Sequence, residues 1–259
     1  MHILGNTLEE IAVQKAGIIK ENSDTICFKQ EEGVNSVIQK TCEEKNNTLH
    51  LIEEKDILNY SYNKDFQKFD YKNVKDIEIN LKGIKQINNA SICIECVEVL
   101  KKRGYEISEK ALRDGLKTVV HKGRFETIYE KPLIIFDGAH NKPAIENFVN
   151  SIKMYYPNNN KVYIISILKT KDYQSVLKQL LKDEKSTFIF TDGNNKQRYV
   201  AKEELLQCAK TYTSNSNLFV KSLEEAIDFV KENHKNDVTF IVGSFYVYGT
   251  VNEILKKEV

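Results

Sequence analysis

The sequence has no long hydrophobic run and no excess of charge of either sign. Its 259 residues include 38 basic and 37 acidic side chains, so its composition does not indicate the basic surface that nucleic-acid binding requires. No apolar segment approaches the roughly 20 residues that a membrane-spanning helix needs, and no secretion signal is visible at the N-terminus. We therefore expect a cytoplasmic protein that has neither a nucleic acid nor a membrane as its partner.

Cysteines are few, and they are not spaced like metal ligands. The five cysteines, at positions 27, 42, 93, 96 and 208, do not suggest a disulfide framework in a chain of this length. Cys93 and Cys96 form a Cys-x-x-Cys pair, but no second pair of cysteines or histidines has the spacing of a metal site. The pair falls in a predicted helix, on one apolar stripe with Val97 and Leu100. We therefore expect two core cysteines.

Two glycine-rich signatures of nucleotide binding are also missing. The pattern G-x-x-x-x-G-K-[ST], whose backbone N–H groups hold phosphates, does not occur in the chain. No G-x-G-x-x-G follows a predicted strand either. The second absence disfavours a dinucleotide-dependent dehydrogenase.

The chain is predicted to divide near residue 121 into two α/β parts. In the first part a polar stretch of low regularity covers 55–77, strands lie near 25–28, 48–52 and 78–81, and helices lie near 7–20, 32–43, 87–102 and 108–117. The second part has strands near 125–129, 133–136, 161–167, 186–191, 216–220 and 238–242, with helices near 142–154, 172–182, 201–210, 222–233 and 248–257. Such alternation is typical of a mostly parallel, doubly wound sheet.

A short apolar strand stops abruptly at Asp-Gly-Ala-His-Asn. The run 133–136 is bulky and unbroken, as expected for a strand that is buried on both faces. A helix begins near Pro143, a residue that the first helical turn tolerates. Asp137, His140 and Asn141 are therefore expected at the carboxyl end of a strand, where ligands bind in open α/β sheets. The alternative is a polar turn that only caps the next helix.

The N-terminal segment places a lysine among apolar residues. Thr7 to Glu10 reads as a capping box, with Thr7 as the N-cap and Glu10 reaching back. Lys15 lies seven residues after Leu8, on the predicted buried stripe of the helix that follows. A lysine in that position is costly unless it is paired or chemically altered. The alternative is a side chain that extends past its neighbours to solvent.

Five motifs in order along the chain carry a family resemblance. They are LGNTLEEIAVQKAGIIK, GIKQINNAS, GRFE, FDGAHN and GSFYVYG. Together they resemble folylpolyglutamate synthase and dihydrofolate synthase, of the Mur ligase superfamily. The resemblance runs from residue 4 to the C-terminus. It implies part of a Mur ligase central domain over 1–121, followed over 122–259 by a Rossmann-like C-terminal domain with a mostly parallel sheet.

The resemblance implies an ATP-dependent carboxylate–amine ligase. In such an enzyme ATP phosphorylates a substrate carboxylate, here of a folate or a dihydropteroate, and the amino group of glutamate attacks the acyl phosphate to form an amide. The implied cofactors are ATP and Mg²⁺, because the charge of the transferring phosphoryl group must be neutralised. Mur-type peptide ligases are the alternative within the superfamily, although the N-terminal motif resembles the folate branch more closely.

The resemblance also implies roles for single residues in the matching motifs. Lys15 matches a lysine that is carbamylated to hold Mg²⁺, and His140 matches a histidine near the glutamate and the acyl phosphate. The residues matched to nucleotide and cleft positions are Gln86 and Asn89 near the base, Arg124 at the phosphates, Asp137 at the ribose and Ser244 in a Gly-Ser turn. Lys171 and Asp172 resemble a further family loop. We expect Arg124, Asp137, His140 and Ser244 to lie on the same side of the sheet edge.

The sequence departs from the family in several places. Lys85, His121, Lys122, Lys142 and Thr170 stand where the family usually has other residues, although none of them carries an assigned role. The family's Gly-Lys-Ser loop is expected upstream of residue 4. We therefore expect a ligase fragment that is inactive without an N-terminal half, which a separate chain could supply. The remaining alternative is a non-catalytic remnant or partner-binding module that keeps the fold.

Overall fold

The computed structural model describes residues 5–193 and 195–256, and these form two compact units. The first unit contains residues up to 80 together with 84–119, and the second contains 81–83 and the residues from 120 onward. Each unit has a hydrophobic core of its own. Within the described residues, no helix combines the length and the apolar character that spanning a bilayer requires.

The first unit combines a parallel strand pair with a three-stranded antiparallel sheet. Strands β1 and β2 pair in parallel, and β4 lies between β3 and β5 in the antiparallel sheet. Ile87 and Ile94 of helix α3 pack on the core of this unit together with Phe69 and Ile77. The elements, in chain order, are α1 (Leu8–Ala16), β1 (Asp24–Phe28), α2 (Glu32–Glu44), β2 (Thr48–Ile52), β3 (Ile57–Tyr62), β4 (Gln67–Tyr71), β5 (Val74–Ile79), α3 (Ile84–Lys102) and α4 (Glu109–Thr118).

The expectation of an irregular stretch over 55–77 is wrong, because this segment contains β3, β4 and most of β5. Register shifts interrupt both strand pairs, and left-handed backbone at Asn59, Lys72 and Asp76 breaks the alternation of side chains. A polar side chain also faces inward, since the fully buried Gln67 accepts a 2.9 Å hydrogen bond from the Tyr60 hydroxyl. These features hide the period of two by which strands are recognised in a sequence.

Helix α3 turns a different face to the core from the one expected, so the prediction of two core cysteines is wrong. Cys93 is exposed and Cys96 is half-buried, whereas the buried face contains Ile87 and Ile94, which lie two turns apart. Glu95 is also buried on this face. It is tolerated there because the Tyr71 hydroxyl and the Lys72 ammonium each donate a 2.7 Å hydrogen bond to its carboxylate.

The second unit is a six-stranded sheet with helices on both faces. Its elements are β6 (Glu126–Tyr129), β7 (Leu133–Asp137), α5 (Lys142–Tyr155), β8 (Lys161–Ile165), α6 (Tyr173–Leu180), β9 (Thr187–Phe190), α7 (Lys202–Lys210), β10 (Leu218–Val220), α8 (Leu223–Asn233), β11 (Val238–Val242) and α9 (Tyr248–Lys256). The strand order is β10-β9-β8-β11-β7-β6. Only β6 is antiparallel to its neighbour. The predicted α/β class with a mostly parallel sheet is confirmed.

Strand β11 is inserted between β8 and β7, at the centre of this sheet. Its pairing with both neighbours is parallel, so the carboxyl ends of β7, β8 and β11 meet at one edge. Helices α5, α6 and α7 pack on one face, and α8 and α9 pack on the other. The chain passes from β7 to β8 and leaves one strand position empty between them, which β11 fills later. The strand order therefore reverses at β11. Ligand-binding crevices form at such points in open α/β sheets.

Candidate active site

A cavity of about 460 Å³ lies at the carboxyl ends of these central strands, entirely within the second unit. Its walls come from the turn before β6 and from the segments that follow β7, β8, β9 and β11. The lining residues are Arg124, His140, Leu168, Thr170, Lys171, Arg198, Ser244, Phe245 and Tyr246. The structure therefore brings together Arg124, His140 and Ser244, which were all predicted from the sequence as site residues. It also adds Lys171, which belongs to the loop of Lys171 and Asp172 that resembles a family loop.

His140 is held in one orientation by its own loop. The ring nitrogen Nδ1 lies 2.8 Å from the carbonyl oxygen of Gly138. Since a carbonyl oxygen can only accept, Nδ1 carries the proton in this bond. In the neutral ring the proton on Nδ1 leaves a lone pair on Nε2, so this nitrogen can accept a proton or a hydrogen bond.

Asn141 is the part of the Asp-Gly-Ala-His-Asn stretch that caps a helix. Its side-chain oxygen accepts a 3.0 Å hydrogen bond from the N–H of Ala144, in the first turn of α5. Pro143 lies in that first turn, as predicted. The alternative of a capping turn is therefore correct for Asn141, while His140 lies in the wall of the cavity.

The carboxylate of Asp137 faces backbone groups and is not part of the cavity wall. Its Oδ2 accepts a 2.9 Å hydrogen bond from the N–H of Phe125, and its Oδ1 accepts one of 2.8 Å from the N–H of Ala139. Burial raises the pKa of Asp137 to about 6, although both backbone bonds and the nearby Arg124 oppose this increase. We expected the Asp137 side chain to project with His140, and the structure instead directs it at the loops on either side.

Arg124 stands on a tight turn that needs unusual backbone angles. Gly123 has a φ of 69° and Phe125 a φ of 45°, and both values fall in the left-handed region. The N–H of Gly138 donates a 2.9 Å hydrogen bond to the carbonyl oxygen of Gly123, which joins this turn to the loop of His140. A Cβ atom at Gly138 would lie 3.1 Å from Nη1 of Arg124, so the guanidinium passes directly over that glycine.

Ser244 is almost fully buried, at 1% exposure, behind the cavity surface. Its hydroxyl lies 3.1 Å from the hydroxyl of Tyr199 and also accepts a 3.3 Å hydrogen bond from the N–H of Tyr246. The preceding Gly243 has a φ of 109°, and a Cβ there would lie 2.4 Å from the carbonyl oxygen of Ser166. Glycine is therefore required at this position.

Arg198 and Tyr246 complete the cavity wall, and no role was predicted for either from the sequence. The guanidinium carbon of Arg198 lies 4.5 Å from the centre of the Tyr246 ring, within the range of a cation–π contact. Backbone pairing between Leu168 and Tyr199 brings the loop after β9 beside the loop after β8. The only signal was positional, because Arg198 follows a parallel strand of the central sheet.

The cavity wall is cationic. Arg124, Lys171 and Arg198 contribute positive charge, and none of the described wall residues carries a carboxylate. Among the described residues, no salt bridge to a carboxylate involves any of these three side chains. An arrangement of cations outside any described salt bridge, together with a histidine, is suited to an anionic ligand, such as a phosphate or a carboxylate.

The other predicted site residues lie in the first unit. Gln86 and Asn89 occupy the first turns of α3, where the Asn89 amide donates a 3.1 Å hydrogen bond to the Gln86 oxygen. Lys15 is exposed, so the prediction that it lies on a buried stripe is wrong. Helix α1 buries only Ala12 and Ala16, and Leu8 is 50% exposed. Small residues at i and i+4 form the contact face, which turns the neighbouring Lys15 outward.

The predicted capping box of α1 is present in a modified form. Thr7 accepts a hydrogen bond from the N–H of Glu10 at 3.1 Å, as expected for an N-cap. The Glu10 carboxylate accepts a 2.6 Å bond from the N–H of Asn6 instead of that of Thr7.

In the described parts of the chain, no group of three or more histidine, cysteine, aspartate or glutamate side chains could hold a metal ion.

Comparisons with known proteins agree with this geometry. Residues 123–245 match the Mur ligase, glutamate ligase domain. The chain is 29% identical to a dihydrofolate synthase/folylpolyglutamate synthase of Bacillus subtilis, over 99% of this chain and 60% of the relative. It is 28% identical to the protein of the same description from Escherichia coli, over 97% of this chain and 56% of the relative.

Solved structures give the same result. A folylpolyglutamate synthase from Thermotoga maritima superposes with a TM-score of 0.78 at 28% identity, over 99% of this chain and 60% of that one. The Escherichia coli FolC protein in complex with ADP, without folate substrate, gives a TM-score of 0.79 at 26% identity, over 98% of this chain and 59% of that one. The chain thus spans about 60% of the length of the relatives it matches.

Proposed function

We propose that this chain, which belongs to the family of folylpolyglutamate and dihydrofolate synthases, carries the glutamate-joining site of an ATP-dependent ligase. The observation that carries the proposal is the cationic cavity, in which Arg124, His140, Lys171 and Arg198 converge at the carboxyl ends of parallel strands. The substrates of the proposed reaction are ATP, glutamate and a folate or dihydropteroate. The proposed location is the cytoplasm, where these substrates are available.

The proposed reaction forms one amide bond and releases phosphate. ATP supplies a phosphoryl group to the substrate carboxylate, and the amine of glutamate then displaces phosphate from the acyl phosphate. The proposed role of Arg124 is to offset the negative charge of the phosphoryl oxygens as the phosphate departs. The proposed role of His140 is to take a proton from the attacking amine at Nε2, because the bond from Nδ1 to Gly138 leaves Nε2 as the basic nitrogen.

Lys171 and Arg198 are the proposed partners of the glutamate carboxylates. A guanidinium can bind a carboxylate through two parallel hydrogen bonds, whereas an ammonium acts as a point charge. The contact between Arg198 and the Tyr246 ring limits the movement of the guanidinium, so less conformational entropy is lost when glutamate binds. Ser244 supports this wall from behind through the N–H of Tyr246.

Gln86, Asn89 and Asp137 are the residues that we propose to serve the nucleotide. Gln86 and Asn89 present a hydrogen-bonded pair of amides, which suits the edge of a nucleobase, and Asp137 retains lone pairs that a ribose hydroxyl could use. Lys15 could contribute to a Mg²⁺ site only after carbamylation, as one oxygen ligand. Mg²⁺ prefers about six oxygen ligands, so the described residues do not by themselves fit the ion, and the roles of the other residues do not depend on it.

A fusion protein tests the proposed function. The N-terminal 40% of the Bacillus subtilis relative, joined before this chain, would restore the length of the family. We expect ATP-dependent incorporation of labelled glutamate into a folate or dihydropteroate. We also propose that the boundary between the two ligase domains lies near residues 121 and 122. His140→Ala should lower the rate about 100-fold, whereas Asp237→Asn, at the opposite end of β11, should not. A folded fusion that binds ATP and joins glutamate to neither substrate would contradict the proposal.

A further inference from the structure

We propose that Asp137 is a positioning residue, whose carboxylate bridges the turn of Arg124 to the loop of His140 and thereby sets the distance between these two side chains. The bridge consists of the two hydrogen bonds that Asp137 accepts, from the N–H of Phe125 and from the N–H of Ala139. Each of these residues is the immediate neighbour of a cavity residue. The bridge itself is argued from these contacts. Only the reason why the distance between Arg124 and His140 matters rests on the proposed function.

The turn that carries Arg124 needs such a partner. Phe125 is an aromatic residue with a φ of 45°, a conformation that costs about 1 kcal/mol or more and persists only where the surroundings impose it. Its ring is anchored in the core, 6.0 Å from that of Phe148 and 6.2 Å from that of Phe240. The ring fixes one side of the residue, and Asp137 fixes its N–H. The direction in which Arg124 leaves the turn is therefore determined from both sides.

Side chains pack closely against the two glycines beside the bridge. A Cβ at Gly123 would lie 2.5 Å from Cε2 of Phe245, and one at Gly138 would lie 3.1 Å from Nη1 of Arg124 and from Cδ2 of Phe245. The direct bond from Gly138 to Gly123, at 2.9 Å, holds the two segments together. A small shift of either segment would thus be transmitted to Arg124 and to His140.

The bridge in this form needs an ionised carboxylate. Each carboxylate oxygen already accepts a hydrogen bond from an N–H. A proton bound to either oxygen therefore cannot lie along that hydrogen bond. The charged or titratable groups around it are Arg124, whose guanidinium favours the ionised form, Glu126, which accepts from the N–H of Gly123, and His140. Burial raises the pKa of Asp137 to about 6, so acidification through that value should weaken the bridge.

Amide hydrogen exchange in the full chain tests the proposal. The informative amide is that of Gly138, since it donates to Gly123 and not to Asp137. We expect Asp137→Asn to speed exchange at least ten-fold at Phe125, Ala139 and Gly138, and to weaken the affinity for inorganic pyrophosphate about ten-fold. Asp237→Asn is the matched control, because Asp237 is also a hydrogen-bonded carboxylate of the second unit, bonded to His234 at 2.7 Å.

Faster exchange at Phe125 and Ala139 alone, with Gly138 and pyrophosphate affinity unchanged, would overturn the proposal, because Asp137 would then only cap two amides. Should Asp137→Asn fail to fold, the wild-type chain provides the test. Its protection at the three amides, corrected for intrinsic exchange, should fall as the pH is lowered from 7.5 to 5, and constant protection would also overturn the proposal. Failure of the fusion protein to join glutamate would contradict the proposed function without changing these results.

Discussion

The hydroxyl groups of Tyr199 and Ser244 lie 3.1 Å apart, and both side chains are 1% exposed. Tyr199 directly follows Arg198, and Ser244 accepts a bond from the N–H of Tyr246. The pair therefore connects the loop after β9 to the loop after β11 below the cavity surface. Because Arg198 and Tyr246 are in contact above it, the buried hydroxyl pair supports the side of the cavity that we propose for glutamate.

Ser244→Ala should destabilise the second unit by about 1–3 kcal/mol. The substitution leaves the buried Tyr199 hydroxyl without its partner and removes a hydrogen-bond acceptor from the N–H of Tyr246. Urea unfolding, followed by circular dichroism, measures the loss.

The double variant Ser244→Ala with Tyr199→Phe controls this prediction. Removing both hydroxyls leaves no orphaned donor, so the double variant should lose less free energy of unfolding than the sum of the two single variants. Additive losses would show that the two hydroxyls do not depend on each other.

Arg198→Ala should weaken the binding of inorganic pyrophosphate about ten- to one-hundred-fold, because a charge-assisted hydrogen bond contributes roughly 1.5–3 kcal/mol. Arg198→Lys keeps the charge but loses the planar contact with Tyr246. Its affinity for pyrophosphate should therefore lie between those of the wild type and Arg198→Ala. Titration calorimetry at fixed ionic strength measures the affinities. Lys182→Ala is the control, since Lys182 lines a different cavity of the same unit, with Pro157 and Lys161. Equal affinities for the wild type and Arg198→Ala would contradict the cationic assignment.

The sequence was most informative where hydrophobic runs are short and unbroken. The run 133–136 predicted a strand buried on both faces, and Ile134, Ile135 and Phe136 are all fully buried in β7. The same reasoning placed His140 at the carboxyl end of that strand. It could not find Arg198, because the position of a side chain in a long loop depends on the pairing of Leu168 with Tyr199, which no local pattern records.

The first unit was harder to predict for a different reason. Its antiparallel strands contain buried polar residues and left-handed positions, so the alternation that identifies strands is weak in 55–77. On α1 the sequence pattern predicted that Leu8 would be buried, although the buried residues are Ala12 and Ala16. Hydrophobicity alone could not show that small residues would form the close contact and leave Lys15 exposed.

The raised pKa of Asp137 should make the second unit more stable in mild acid. Burial raises its folded-state pKa from 3.8 to about 6, so the folded state binds the proton more tightly than the unfolded state does. The resulting stability is fully present below pH 3.8 and is lost as the pH rises through about 6. The free energy of unfolding of the wild type, relative to Asp137→Asn, should fall by at most about 3 kcal/mol between pH 4 and pH 7.

Denaturant unfolding of both proteins across this pH range measures the difference. A constant difference would show that Asp137 does not titrate between these values. The predicted sign also means that the ionised bridge exists at neutral pH despite its cost in stability, as is common for groups that hold a functional site in position.

Glu95 of the first unit should have the opposite pH dependence. Burial alone would raise its pKa, but the hydrogen bonds from Lys72 and Tyr71 outweigh burial and bring the pKa below 4.5. A depressed pKa contributes stability above the unfolded-state value, and this contribution is lost as the pH falls through the folded-state value. Glu95→Gln should therefore cost about 1–3 kcal/mol at pH 7, and the difference from the wild type should shrink below pH 4.5.

Glu98→Gln, on the same helix, is the matched control for Glu95→Gln. Glu98 forms a partly exposed pair with Lys101 three residues on, and surface pairs contribute at most about 1 kcal/mol. Urea unfolding at pH 7 and pH 4 distinguishes the two variants. Equal losses for Glu95→Gln at both pH values would show that the buried carboxylate acts through its shape and not through its charge.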